Sequence, residues 1–372
     1  MKGNEALAEA AVRAGCKCYF GYPITPQTEI AAYMSKRMPK CGGVFLQAES
    51  EIAAINMVYG AAATGVRAMT SSSSPGISLK SEGISYAAGC DLPCVIVNVQ
   101  RGGPGLGGIQ PAQSDYYLAT KAGGHGDFFI PVYAPCSVQE MATYAVKAFD
   151  MADKFRTPVM ILSDGLLGQM MEPVEFPDIT DNEPAKDWAC VGHGNKRHHN
   201  IINSLYLKPE ELEESNRQRF KKYDIEKQEL PEVENYLTED ADIIVTGYGA
   251  SARIVRSAVN AARAEGIKAG MIKVRVFRPF PGAELAAALE NAKGIAIMDR
   301  AESFSGCGGP LGSELKAALY DAKNESTTVN YFYGLAGRDY TVETACGIYQ
   351  DLIDYVSGKQ EAEQFKYIGL RK

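Results

Sequence analysis

Short, almost wholly apolar runs recur along this chain, each followed by a turn and then by a stretch with helical spacing. CYF (18–20), VFLQ (44–47), AMT (68–70), CVIVNV (94–99), PVMILSD (158–164) and IIVTG (243–247) are all of this kind. A strand that is apolar on both faces must be covered on both faces, and intervening helices provide that cover. The pattern predicts α/β architecture built on parallel sheets. In such a sheet, ligands bind in the crevice beyond the carboxyl ends of the strands. Residues that directly follow the apolar runs are therefore the first candidates for function.

At 372 residues the chain has room for two or three domains of ordinary size. The pattern divides into a first α/β domain over 1–177, a polar and helical connecting segment over 178–238, and a second α/β domain over 239–372. The connecting segment holds the only tryptophan, three histidines in a solvated basic loop, and the charged stretch KPEELEESNRQRFKKYDIEKQEL, which reads as a solvated helix. A hydrophobic content of 46% and a charged content of 22% are those of a globular protein. With a formal charge of −7 and no basic stripe, a nucleic-acid partner is not expected. No apolar run is long enough to cross a bilayer, and the N-terminal stretch lacks the apolar core of a signal peptide, so a cytoplasmic location is expected. None of the nine cysteines falls in a C-x-x-C pair. An iron–sulfur cluster or structural zinc in this chain is therefore not expected, nor is any other metal site.

Four features follow strand ends in the first domain. The corner GYPITP places Tyr22 and Pro23 in a turn and Thr25 where it could cap a helix beginning near Pro26. Glu51 opens a helix of small and apolar residues, where a carboxylate suits the helix dipole. The same apolar surroundings would raise its pKa and let it hold a proton. A serine-rich loop, Ser71 to Ser74, precedes the Pro75 helix, and Arg101 opens the glycine-rich loop Gly102 to Gly108. An arginine there suits a carboxylate or phosphate ligand, and an ion pair with Asp115 is the alternative. In the second domain Gly247 and Gly249 lack the third glycine of a dinucleotide fingerprint, and no dinucleotide site is expected.

GYPITP, the glutamate before a small-residue helix ending at Gly60, and NVQRGGPG together resemble the 2-oxoacid:ferredoxin oxidoreductases. KGNEALAEAAVRAGC, QAESEIAAINMVYGAAATG, SSSSPGISLKSEGISYAAG, RGGPGLGGIQPAQSDYY and GGHGD are most similar to the large chain of the 2-oxoisovalerate (branched-chain) enzymes. From about Val274, RVFRPFPGAEL, MDRAESFSGCGGPLGSELKAALY and YGLAGRD look more like the pyruvate:ferredoxin enzymes.

The resemblance implies a thiamine diphosphate enzyme. Its first domain would be the pyrimidine-binding type and its second similar to the transketolase C-terminal domain. It assigns Glu51 to N1′ of the aminopyrimidine, with Pro23, Ser73 and Ser74 beside the cofactor. Thr25 and Arg101 match the family's substrate-carboxylate contacts, with Tyr22, Gly102 and Gly103 around the substrate. The chain has no G-D-G…N-N-type motif for a diphosphate-bound metal. The resemblance therefore implies a beta subunit that supplies Mg2+, the rest of the thiamine diphosphate site and the iron–sulfur (4Fe–4S) clusters. Gamma and ferredoxin-like delta subunits, ferredoxin and coenzyme A are the other partners it implies. The expected reaction is oxidative decarboxylation of a 2-oxo acid, 2-oxoisovalerate first, with pyruvate or 2-oxoglutarate, a non-oxidative two-chain thiamine diphosphate decarboxylase and a non-catalytic scaffold subunit as the alternatives.

Overall fold

The computed structural model describes residues 1–121, 123–178, 183–302 and 306–370. Two sheets organise it. In the first domain the strands are β1 (Cys18–Gly21), β2 (Val44–Gln47), β3 (Ala68–Ser72), β4 (Cys94–Gln100), β5 (Val132–Tyr133) and β6 (Pro158–Asp164). Further along come β7 (Val233–Tyr236), β8 (Ile243–Gly247), β9 (Ala269–Val274), β10 (Val276–Arg278), β11 (Gly294–Asp299), β12 (Thr327–Phe332) and β13 (Phe365–Tyr367). The seven-stranded sheet runs β10-β5-β6-β4-β3-β1-β2 and the six-stranded sheet β13-β12-β11-β8-β9-β7.

Most pairings are parallel, as the apolar runs require: every residue of β3, β4, β6 and β8 is buried. Two edges depart from the expected all-parallel order, since β10 pairs antiparallel with β5 and β7 antiparallel with β9. β10 follows β9 after a single residue, Arg275, so no helical crossover sets its direction. Through β10 the chain crosses from the second sheet to complete the first, and β7 draws part of the connecting segment into the second.

Arg275, the residue between β9 and β10, ion-pairs with Glu232 at 2.9 Å and with Glu234 at 2.5 Å. Lys273 meets Glu140 and Glu234, each at 2.7 Å. Apolar packing joins the halves too. Tyr116 of the first domain lies 4.4 Å, centroid to centroid, from Phe277, which Tyr248 also meets at 4.6 Å. The core on that side of the first sheet runs on without a break into Ile244, Ile272, Leu285 and Leu311.

Two local expectations are corrected. The helix after the GYPITP corner starts at Thr28 with Gln27 before it, so Thr25 does not cap it. Ser71 and Ser72 belong to β3, and only Ser73 separates that strand from the helix Ser74–Gly89; there is no serine loop. The last long helix begins at Val342 and is capped by the Thr341 side chain. In the connecting segment the charged stretch forms the helix Pro209–Glu229, of which Arg219, Tyr223 and Glu226 are buried. Among the described residues, no helix is long and apolar enough to cross a membrane.

Candidate active site

The sequence-singled residues gather at the carboxyl edge of the first sheet. The chain runs from β1 to the edge strand β2 and back to β3, so strand order reverses between β1 and β3. A crevice opens at such a point. Thr25 follows β1, Glu51 follows β2, Ser73 and Ser74 follow β3, and Arg101 follows β4.

Glu51 is the first residue of the helix Glu51–Ala63, whose start is fixed by the Ser50 hydroxyl accepting from the Ala53 N–H at 3.2 Å. The Glu51 side chain is 7% exposed, and among the described residues its carboxylate accepts no hydrogen bond. It lies against Gly76 in the first turn of the helix Ser74–Gly89: a Cβ at Gly76 would stand 2.7 Å from Glu51 Oε1 and overlap the Ser72 hydroxyl. A glycine is therefore required for the carboxylate to occupy this place. Glu49, two residues earlier, is exposed.

The first turn of the helix Ser74–Gly89 is capped unusually. The Ser74 N–H donates to Asn98 Oδ1 of β4 at 3.2 Å, and the Ser73 side chain makes no capping bond. The Ser73 hydroxyl is buried with no partner among the described residues, as is that of Ser72. Ser74 is differently placed. Its hydroxyl donates to Asp115 Oδ2 at 2.6 Å and accepts from the Arg101 N–H at 3.0 Å, so it ties the end of β4 to the helix start. Asp115 also accepts from Asn98 Nδ2 at 2.9 Å. Burial raises the Asp115 pKa above its ordinary value, while these two hydrogen bonds and the Arg101 charge pull it back.

Arg101 makes no ion pair with Asp115, which corrects the alternative offered by the sequence. Its guanidinium donates instead to two backbone carbonyls, Thr25 at 2.9 Å and Leu106 at 3.0 Å, and its buried Nε has no acceptor. A buried guanidinium held only by neutral carbonyls keeps its charge available to an anion. The Thr25 side chain beside it is exposed and its hydroxyl unbonded, and Tyr22 and Pro23 are exposed at the same corner. Gly102 closes the loop by donating to Gln110 and accepting from Gly108, and a Cβ at Gly103 would meet nothing within 4 Å.

The structure thus links Thr25 to Arg101 and Arg101 to Ser74, and sets Glu51 against Gly76 two residues further on. It adds residues that no local motif marks: Asn98, and Lys80, whose Nζ donates to the Glu51 backbone carbonyl at 3.4 Å. Lys80 falls on the interior side of its helix, a position that helical spacing identifies, though not the partner it meets there. In the second domain the turn at Gly249 is filled by the first domain, because a Cβ there would lie 2.5 Å from Gln113 Nε2. That leaves no room for a dinucleotide on the turn.

An aminopyrimidine needs an acceptor carboxylate in a buried position, and the carboxylate of the largely buried Glu51 has no hydrogen-bond donor among the described residues. A 2-oxo acid needs a fixed cation, and Arg101 offers one with an unused donor. The residues present fit both groups.

Residues 9–236 match the family described as pyruvate flavodoxin/ferredoxin oxidoreductase, thiamine diphosphate-binding. Residues 241–345 match pyruvate:ferredoxin oxidoreductase core domain II. The chain is 52% identical over 283 residues to ketoisovalerate oxidoreductase subunit VorB of Methanothermobacter thermautotrophicus, covering 76% of this chain and 80% of the relative. It is 32% identical over 402 residues to pyruvate synthase subunit PorA of Thermotoga maritima, covering 100% of this chain and 98% of that one. Among solved structures it resembles the 2-oxoglutarate:ferredoxin oxidoreductase from Magnetococcus marinus, determined with 2-oxoglutarate, coenzyme A and succinyl-CoA bound. There the TM-score is 0.81 at 29% identity, over 95% of this chain and 65% of that chain. A split gene transketolase shares the fold at a TM-score of 0.60 and 14% identity, over 95% of this chain. With the first of these family matches spanning well over half its length, the chain belongs to the thiamine diphosphate-dependent 2-oxoacid:ferredoxin oxidoreductases.

Proposed function

We propose that this chain is the substrate-holding subunit of a 2-oxoacid:ferredoxin oxidoreductase acting on branched-chain 2-oxo acids, 2-oxoisovalerate foremost. The observation that carries the site assignment is a pair of unpartnered groups at one sheet edge: the carboxylate of the largely buried Glu51, with no hydrogen-bond donor among the described residues, and the buried Arg101 Nε, with no acceptor among them. When bound, thiamine diphosphate supplies the electron sink for cleavage between the carboxylate and the carbonyl carbon. Glu51 holds a proton at N1′ of the aminopyrimidine. Arg101 and the Thr25 hydroxyl hold the substrate carboxylate, which orients the bond to be broken. Ser73 lines the cofactor side with its free hydroxyl. Ser74 acts from behind, fixing Arg101 to the helix start, and Pro23 and Tyr22 form the wall of the corner.

The substrate class rests on two supports. Identity is 52% to the ketoisovalerate subunit, against 36% to 2-oxoglutarate synthase subunit KorA of Methanothermobacter marburgensis. The loop from Gly102 to Gly108 is also small and uncharged, with nothing to meet a second carboxylate. The reaction yields an acyl-coenzyme A and carbon dioxide, and electrons pass through iron–sulfur clusters to ferredoxin. A beta subunit supplies the clusters and the Mg2+ that holds the diphosphate, and gamma and ferredoxin-like delta subunits complete the assembly. Nine free thiols suit the reducing cytoplasm.

Glu51→Gln in the assembled complex is the direct test. It is expected to abolish 2-oxo-acid-dependent reduction of a low-potential dye, and unchanged turnover would refute the assignment. The substrate class is tested on the wild-type complex by comparing kcat/KM for 2-oxoisovalerate, pyruvate and 2-oxoglutarate. A preference for either of the latter two overturns it.

A further inference from the structure

One of the two carbonyls that aim the Arg101 guanidinium, that of Leu106, belongs to the glycine-rich loop. Where that carbonyl stands depends on what holds the loop. Its tip is open: a Cβ at Gly103 or Gly105 would find no atom within 4 Å, and Leu106 is 82% exposed. Its base is closed. The Gly102 N–H donates to the Gln110 carbonyl at 3.2 Å, and the Gly108 N–H donates to the Gly102 carbonyl at 2.9 Å.

Behind this base stands the second domain. Gln110 packs on Gly337, in the turn after β12, so closely that a Cβ at Gly337 would overlap Gln110 Cβ. Gly337 also has a φ of +81°, so backbone and space both call for glycine. The turn itself is braced, because Arg300 after β11 donates to the Gly334 and Arg338 carbonyls, each at 3.2 Å. The return leg of the loop is held a second time at Gln113, whose side chain fills the Gly249 turn. Gln113 Oε1 accepts from the Tyr333 hydroxyl at 3.1 Å, and its backbone carbonyl accepts from Tyr248 at 3.3 Å. Asp115, whose N–H donates to Gln100 Oε1 at 3.1 Å, then returns the chain to the first domain.

We infer that the second domain sets the substrate site through this contact: Gly337 is a positioning residue for Arg101, acting through Gln110 and the loop base on the Leu106 carbonyl. The inference rests on the reading of Arg101 as the substrate-carboxylate residue made above. A side chain at position 337 pushes Gln110 away, loosens its bond to Gly102 and moves the carbonyl that aims the guanidinium. Glu51 and Ser73, on the cofactor side, lie off this path. Substrate binding therefore weakens and cofactor binding does not.

Steady-state kinetics and thiamine diphosphate titration of the assembled complex test this, using whichever of the three 2-oxo acids it turns over best. Gly337→Ala is expected to raise KM about 5-fold or more, a partial loss of one charge-assisted hydrogen bond, with cofactor affinity unchanged. Gln110→Gly should itself raise KM, because the base loses its backing. In that background the new methyl has room, and Gly337→Ala should have no further effect. The inference is overturned by a wild-type KM in Gly337→Ala, or by cofactor binding weakened as much as substrate binding. An effect of equal size with and without the Gln110 side chain also overturns it, since the strain then lies in the turn alone. Gln110 is exposed, so Gln110→Gly decides the matter where Gly337→Ala does not assemble, and a wild-type KM there overturns the inference. If Arg101→Lys leaves KM and kcat/KM unchanged, the Arg101 assignment falls instead.

Discussion

Arg101 shows how a single side chain is prepared for a ligand by its neighbours. Two carbonyls aim the guanidinium, Ser74 pins its backbone, and Asp115 is kept off it by Asn98 and Ser74. Lysine cannot reproduce the two-carbonyl fork and still reach an anion. Arg101→Lys is expected to lower kcat/KM for the 2-oxo acid about 10- to 100-fold, the worth of a charge-assisted pair, while leaving thiamine diphosphate affinity unchanged. Steady-state kinetics beside a cofactor titration checks both halves. The sequence marked Arg101, Glu51 and Thr25 because each directly follows an apolar run. It could not separate Ser73 from Ser74, since the Ser74 hydroxyl is engaged by Asp115, 41 positions further along the chain, and that of Ser73 is not.

At the scale of elements, the seam between the helices Glu51–Ala63 and Ser74–Gly89 sets the site. Gly76→Ala would drive a methyl into the Ser72 hydroxyl and against Glu51 Oε1. Overpacking of this kind costs about 1–3 kcal/mol, so a lower melting temperature and weaker cofactor binding are expected together, measurable by thermal unfolding and titration.

The helix Pro209–Glu229 was legible as a helix but not in what it buries, because two of its three buried residues, Arg219 and Glu226, are charged and no apolar stripe announces them. Both Glu226 oxygens are buried without partners, and burial raises its pKa to about 7 against the pull of Lys222. The folded chain therefore holds this proton more tightly than the unfolded chain. Its contribution to stability is complete below about pH 4 and lost as pH rises through about 7. Glu226→Gln should raise the melting temperature at pH 8, by an amount on the order of 2 kcal/mol in stability, and change it little at pH 4. Equal shifts at both pH values would contradict this.

Across the whole molecule the two halves are not beads on a string. β10 belongs to the first sheet although it lies far along the chain, and Arg278 at its end meets Glu314 at 2.6 Å with Tyr116 donating to the same carboxylate at 2.7 Å. Removing Arg278 leaves this largely buried carboxylate with Lys121, at 3.2 Å, as its remaining cation. Arg278→Met should destabilise the chain by about 3 kcal/mol, and the Arg278→Met/Glu314→Gln double variant should recover part of that, as read by denaturant unfolding. A double variant no better than the single one would mean the pair matters only through packing.

The sequence by itself determined the α/β class, the strand and helix positions and the residues at strand ends, because apolar runs and turn residues act over a few neighbours. It also carried the family, through motifs that stay contiguous in the chain. Only the tertiary structure decided the two antiparallel edges, the freedom of the Ser73 hydroxyl, the filling of the Gly249 turn by Gln113 and the burial of Lys80 against Glu51. Each of those depends on groups brought together from separate segments, and local pattern holds no record of which distant partner closes a hydrogen bond or balances a charge.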